Sequence, residues 1–118
     1  MLVPTITAHT DPSRRIVHVT VTGPLFTVDH TSAFRQACGG VGQWYGLLID
    51  LSGVTGISDT GVRALRERAR ASAVTGQRLA FVCSELVLRT ELVLADLDTL
   101  APVLASTNDA LVLAAMAA

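Results

Sequence analysis

Lysine is absent from this chain: all nine cations among its 118 residues are arginine. That removes Schiff-base chemistry, a lysine general base and a P-loop lysine together. Cysteine is scarce as well. Cys38 and Cys83 stand far apart with no C-x-x-C spacing, so buried free thiols are expected rather than a disulfide. His9, His18 and His30 show no H-E-x-x-H or comparable spacing, and neither a metal site nor a cofactor is expected. There is no Ser/His/acid or Cys/His set in a recognisable motif, so no catalytic residue is assigned and the chain is read as a non-enzyme. Excess charge of either sign is missing too. At a formal net charge of −1 no global field favours nucleic acid or an anionic membrane, and any basic surface must be local. Long apolar runs are lacking: residues 110–118 are apolar but fall well short of the about 20 needed to span a bilayer. Pro4, alternating threonines and Asp11 break up any N-terminal leader. These absences describe a soluble cytoplasmic protein with no membrane insertion and no nucleic-acid partner.

What is present suits a single α/β domain over residues 1–118. Half of the residues are apolar, and a chain of this length buries roughly two thirds of its unfolded surface. Residues 5–10 read as a strand and Asp11-Pro12-Ser13 as the turn of a hairpin. Residues 15–22 are its partner, with Val17, Val19 and Val21 on one face and Ile16, His18, Thr20 and Thr22 on the other. Gly23-Pro24 is expected to end that strand. Residues 29–38 read as a helix with Ala33, Phe34 and Ala37 inward, closed by Gly39-Gly40. A central strand follows over 44–51, then a helix over 60–75 with Val62, Leu65, Ala69 and Ala73 inward and Gly76 as its stop. A strand over 79–83, a helix capped by Ser84 and running to about Leu94, and a last strand over 101–105 complete the alternation. Ser106 and Asp109 have the Ser-x-x-Asp spacing of one more helix start. The order β-β-α-β-α-β-α-β-α implies parallel strands joined by right-handed crossovers after the hairpin. The expected fold is a mixed sheet of about five strands with helices mainly on one face.

The most informative stretch is LLIDLSGVTGISDTGVRAL over residues 47–65. Leu47, Leu48 and Ile49 fit a strand covered on both sides, and Asp50 marks where the chain emerges. A loop is expected next, with Gly53 and Gly56 allowing conformations closed to other residues. Ser58, Asp59 and Thr60 are all types that accept from the open amides of a helix's first turn. Two readings stand side by side. These residues merely cap the helix, or a hydroxyl among them carries a phosphate, which would face free amides and the positive end of the helix dipole. Such a group adds about −1.5 to −2 charge at neutral pH, enough to reject a partner without refolding the domain. The helix that follows carries Arg63, Arg66, Arg68 and Arg70 against Glu67. Its charged face is either solvated and steadied by Arg63 and Glu67 at i,i+4, or a docking face whose planar guanidinium forks suit carboxylates.

Residues 47–65 resemble the signature of STAS domains, the family of bacterial anti-sigma factor antagonists. There a strand ending in an Asp-Leu-Ser-Gly-Val-like segment leads to Asp-Ser-Ser-Gly or Asp-Ser-Thr-Gly, and the mixed sheet extends the resemblance over nearly the whole chain. The resemblance implies that the hydroxyl residue just before the glycine, Thr60, is the phosphoacceptor. Ser58 is the fallback, because this chain orders the residues Ser58-Asp59-Thr60. It also implies a partner, an anti-sigma factor that is a serine-protein kinase, met through Ser58, Asp59, Thr60, Gly61, Arg63, Arg66 and Arg70. The free form would capture that partner and release sigma, and phosphorylation would weaken capture. Where the family often reads Gly-Glu-Leu-Asp this chain has Gly23-Pro24-Leu25-Phe26, and Asp96-Leu97-Asp98 stands where the family has a Gly-Leu turn. The missing carboxylates fit an alternative: a non-phosphorylated STAS scaffold that binds constitutively, in a signalling assembly or beside a transporter. A homo-oligomer is compatible with either. The receiver domain of response regulators, which also ends a strand on an acid, relies on a lysine and an early acidic pair that are absent here.

Overall fold

A computed structural model describes residues 3–42 and 45–109. Strands β1 (Thr5–Asp11) and β2 (Ile16–Leu25) form the expected antiparallel hairpin, with His9 opposite His18. Its turn is held by Asp11, whose Oδ1 accepts from the Ser13 and Arg14 amides and from the Ser13 hydroxyl. The chain then alternates through α1 (Val28–Gly39), β3 (Gly46–Ile57), α2 (Asp59–Thr75), β4 (Leu79–Val82), α3 (Leu86–Leu94), a 3-10 turn at Leu97–Thr99, and β5 (Val103–Leu104). The strands lie in the order β1-β2-β3-β4-β5, and every pair after the hairpin is parallel. Each right-handed crossover therefore steps one place in the same direction, which puts α1, α2 and α3 on one face. The α/β class, the mixed five-stranded sheet and the one-sided helices are as the sequence leads one to expect.

The helix-covered face holds the main core. Val19, Ile49 and Phe81 of three adjacent strands meet Phe34 of α1, Leu65 of α2 and Leu92 of α3, all of them fully buried. A smaller cluster of Ile16, Leu48, Ala80 and Val82 lies on the opposite face, so the run Leu47-Leu48-Ile49 is covered on both sides. Cys38 and Cys83 are buried free thiols. No helix among the described residues is long and apolar enough to cross a membrane.

The structure departs from expectation where segments remote in sequence meet. Gly23-Pro24 does not end β2, and the stretch after Asp50 is strand rather than loop. The two extensions pair with each other, Thr22 opposite Gly53 and Leu25 opposite Ile57, across two register shifts. Gly23 adopts φ 92° within the irregularity, as a residue without Cβ can. Gly53 and Gly56 do not have positive φ. They matter for the space they leave, which the Thr22 side chain and the Phe26 ring occupy. Asp50 is accordingly half-buried in mid-strand, with Oδ1 accepting from the Ser52 amide at 2.9 Å. In α1, Ala33 is exposed, and the buried positions are His30, Thr31, Phe34 and Cys38. In α2, Ala73 is exposed and Val62 half-buried, while Ala64 and Ser72 join Leu65 and Ala69 inside. Ser72 is tolerated there because its hydroxyl donates to Gln77 Oε1 at 2.8 Å. Glu85, not Ser84, caps α3, its carboxylate accepting from the Val87 and Leu88 amides. Strands β4 and β5 are shorter than expected because pairing ends at Val82 and Leu104. The helix start at Ser106 is formed, the Asp109 amide donating to its Oγ. Trp44 and residues 110–118 lie outside the described residues.

Candidate partner-binding site

The end of β3 delivers the chain to the surface, and Ser58 converts strand into helix as the N-cap of α2. Its Oγ accepts from the Gly61 amide at 3.4 Å and donates to the Phe26 carbonyl at 2.8 Å. Its own amide donates to the Leu25 carbonyl at 3.1 Å. The cap therefore also fastens the start of α2 to the β2–α1 connection. Accepting from one amide and donating toward the Phe26 and Leu25 carbonyls, the Ser58 hydroxyl is the more committed of the two candidate acceptors.

Thr60 is the second residue of α2 and half-exposed. Its hydroxyl makes no hydrogen bond among the described residues. Of the four amides that a helix start leaves without intrahelical partners, that of Ser58 donates to the Leu25 carbonyl and that of Gly61 to Ser58 Oγ. Those of Asp59 and Thr60 have no acceptor among the described residues. Asp59 is exposed in the same turn. Gly61 is buried, because a Cβ there would strike the Leu25 carbonyl oxygen and come within 2.6 Å of Ile57 Cγ1. Only glycine lets α2 begin this close to the end of β2.

The charged side of α2 divides into two flanks. Toward α1, Glu67 Oε2 accepts from Arg35 Nη2 at 3.0 Å and Nε at 3.2 Å, and Arg35 Nη1 also bonds Thr31 Oγ1. The Arg63–Glu67 pair suggested by i,i+4 spacing is not formed. A guanidinium already oriented by Thr31 brings two donors to one carboxylate oxygen and wins over a single exposed side chain. Arg68 is on this flank, beside Cys38. On the other flank Asp59, Val62, Arg63, Arg66, Glu67 and Arg70 line an open groove of about 540 Å³ that reaches Ala95 after α3. None of these three arginines forms an ion pair among the described residues. The structure thus brings Ser58, Asp59, Thr60 and Gly61 together at the helix start and Arg63, Arg66 and Arg70 together along one groove.

Phe26, marked in the sequence only as a departure from the family's Gly-Glu-Leu-Asp and not as a site residue, is 49% exposed. With Val3, Pro24, Thr27 and His30 it lines a mostly apolar cavity of about 550 Å³ next to the Ser58 tether. The connection is ordered by a reciprocal cap. His30 Nδ1 accepts from the Phe26 and Thr27 amides, and Thr27 Oγ1 accepts from the His30 amide. The available signal was Thr27-x-x-His30, a capping box with histidine in the usual place of glutamate.

A model of the STAS domain family matches residues 7–110. Among solved structures, the fold is similar to an anti-sigma factor antagonist from Mycobacterium paratuberculosis, at 23% identity and TM-score 0.80 over 94% of this chain and 93% of that one. It is similar to the murine Solute Carrier 26 family member A9 anion transporter in the inward-facing state, at 19% identity and TM-score 0.72. That match covers 97% of this chain and 22% of the transporter chain. It is also similar to the Bacillus cell fate determinant SpoIIAA in its phosphorylated form, at 14% identity and TM-score 0.65 over 90% and 96% of the two chains. No curated protein sequence gives a comparable match. At these identities the solved structures establish the fold, and the family model adds the sequence pattern from β1 to the last helix start; the chain belongs to the STAS domain family.

Proposed function

We propose that this chain is an anti-sigma factor antagonist that binds an anti-sigma factor which is also a serine-protein kinase, and that phosphorylation of Thr60 weakens the binding. The observation that carries this is the contrast between the two hydroxyls: Ser58 is bonded on both sides, whereas Thr60 is half-exposed and unbonded among the described residues, one residue into α2 from the open Asp59 amide. In the transfer, a bond forms between Thr60 Oγ1 and the γ-phosphorus of ATP as the bond to ADP breaks. The hydroxyl proton passes to a base on the kinase. The product phosphate is compatible with the helix start, because the two open amides and the dipole favour an anion there. Its about −1.5 to −2 charge beside Asp59 changes the surface that the partner meets. Similarity to one structure named as an anti-sigma factor antagonist and to another in a phosphorylated form supports this reading. The role is binding without catalysis, in the cytoplasm.

Incubation with the cognate anti-sigma kinase and ATP should raise the intact mass by one phosphate. Thr60→Ala should prevent it and Ser58→Ala should not. An unchanged mass with a kinase that demonstrably binds would favour a second reading, a scaffold that binds its partner constitutively. That reading draws on Phe26, an exposed aromatic beside an apolar cavity where the family often carries a carboxylate. The occurrence of the fold as a small part of a transporter chain is in line with it.

A further inference from the structure

Arg63, Arg66 and Arg70 stand on one flank of α2 with no acid paired to any of them among the described residues. Glu67 lines the same groove, but Arg35 holds its carboxylate from the α1 side at 3.0 Å. That leaves Asp59 as the other acid in the lining among the described residues. Arg66 Nε is shielded from solvent with no acceptor among the described residues, as is Arg68 Nε on the opposite flank. We propose that the groove between α2 and Ala95 receives an acidic segment of the partner protein, whose carboxylates pair with Arg63, Arg66 and Arg70. This rests on the partner-binding reading above and names the chemistry of the contact.

The spacing supports a helical or extended acidic segment over a point anion. At a rise of 1.5 Å per residue, Arg63 and Arg70 are about 10 Å apart along the axis with Arg66 between them. Carboxylates at i, i+3 or i+4, and i+7 on a facing helix match that ladder. Each guanidinium fork takes a carboxylate in a bidentate pair. Val62 and Ala95 supply apolar lining, and partly covered ion pairs are screened less than open ones. Nucleic acid fits less well, since three cations on one flank of a chain with net charge −1 offer few phosphate contacts. The groove is also coupled to the helix start. Thr60 and Arg63 are i,i+3 neighbours, so a phosphate on Thr60 stands one turn from Arg63 and competes for it with the partner's carboxylate.

The test uses the whole chain and a synthetic helical peptide bearing three glutamates at i, i+3 and i+7, with the all-glutamine peptide as control. In an amide NMR titration, shifts should concentrate on Val62 to Arg70 and Ala95. The triple variant Arg63→Gln, Arg66→Gln, Arg70→Gln should weaken binding about tenfold, as expected from losing several partly exposed pairs, with unchanged thermal unfolding. The glutamine peptide should bind no better to the wild type than to the triple variant. Binding indifferent to the triple variant, shifts centred on Arg14 and Arg15, or equal displacement by inorganic phosphate or a short oligonucleotide would each overturn the proposal. Capture of an anti-sigma kinase separates the two readings. Loss with Thr60→Glu but not with the triple variant sinks the groove and spares the switch; the reverse pattern sinks the switch and spares the groove.

Discussion

Gly61 joins fold and candidate site most closely, because the same missing Cβ that seats α2 on Leu25 also sets where Thr60 emerges. Gly61→Ala should lower unfolding stability by about 1–3 kcal/mol through overpacking, measured by urea denaturation. A neutral outcome would mean that the helix start shifts freely, and Thr60 would then have no fixed position. Cys38 lies outside the site and titrates for a different reason. Burial pushes its thiol up from 9.0 to about 12. The unfolded chain therefore releases this proton at lower pH than the folded one, so stability is full below pH 9.0 and declines as pH rises toward about 12. Cys38→Ala should flatten that alkaline decline in a pH series of melting temperatures. The native thiol should also resist alkylation until denaturant exposes it.

At the scale of elements, α2 has one face buried in the fold and one charged face, which the proposal assigns to the partner. Leu65 is fully buried, and Leu65→Ala should destabilise by roughly 2–5 kcal/mol. Arg63→Gln, on the exposed flank, should stay within about 0.5 kcal/mol. The link between α1 and α2 is weaker than its geometry suggests, because the Arg35 and Glu67 side chains are 42% and 50% exposed. A double-mutant cycle with Arg35→Ala and Glu67→Ala should return a coupling of about 0.2–1 kcal/mol. A coupling near zero would remove the reason given for Glu67 not offsetting the groove arginines. The helix itself was legible in the sequence, since its apolar spacing and the terminal Gly76 are local signals. The partner of Glu67 was not, because Arg63 competes from four residues away whereas Arg35 arrives from another helix 32 positions distant.

For the whole molecule, sequential strand order places α1, α2 and α3 on one face, and the strand ends carry Ser58, Thr60 and the Phe26 connection to one edge of that layer. Fold and binding should therefore be separable by mutation. Thr60→Glu places a carboxylate at a helix N-terminus, which favours the helix by about 0.3–1 kcal/mol. Its melting temperature should be unchanged or slightly raised while capture of the anti-sigma kinase is weakened. Retained capture by a folded Thr60→Glu protein would show that the partner does not read this end of α2.

The sequence by itself determined the hairpin, the alternation that follows it, the parallel sheet with one-sided helices, and the strand-to-helix signature at residues 47–65. Each of these depends on local periodicity, turn chemistry and the handedness of crossovers, which act within or between neighbouring segments. Only the tertiary structure decided that β2 and β3 run on past Gly23 and Asp50, that Ser58 is tethered to a carbonyl 32 residues earlier, that Glu67 faces Arg35, and that Phe26 stands exposed over Gly56. The physical reason is common to all four. Register extension, a hydroxyl's choice of acceptor, a carboxylate's choice of cation and the filling of a glycine's space are settled by competition among groups that the fold brings together, and no local spacing encodes which competitor will be near.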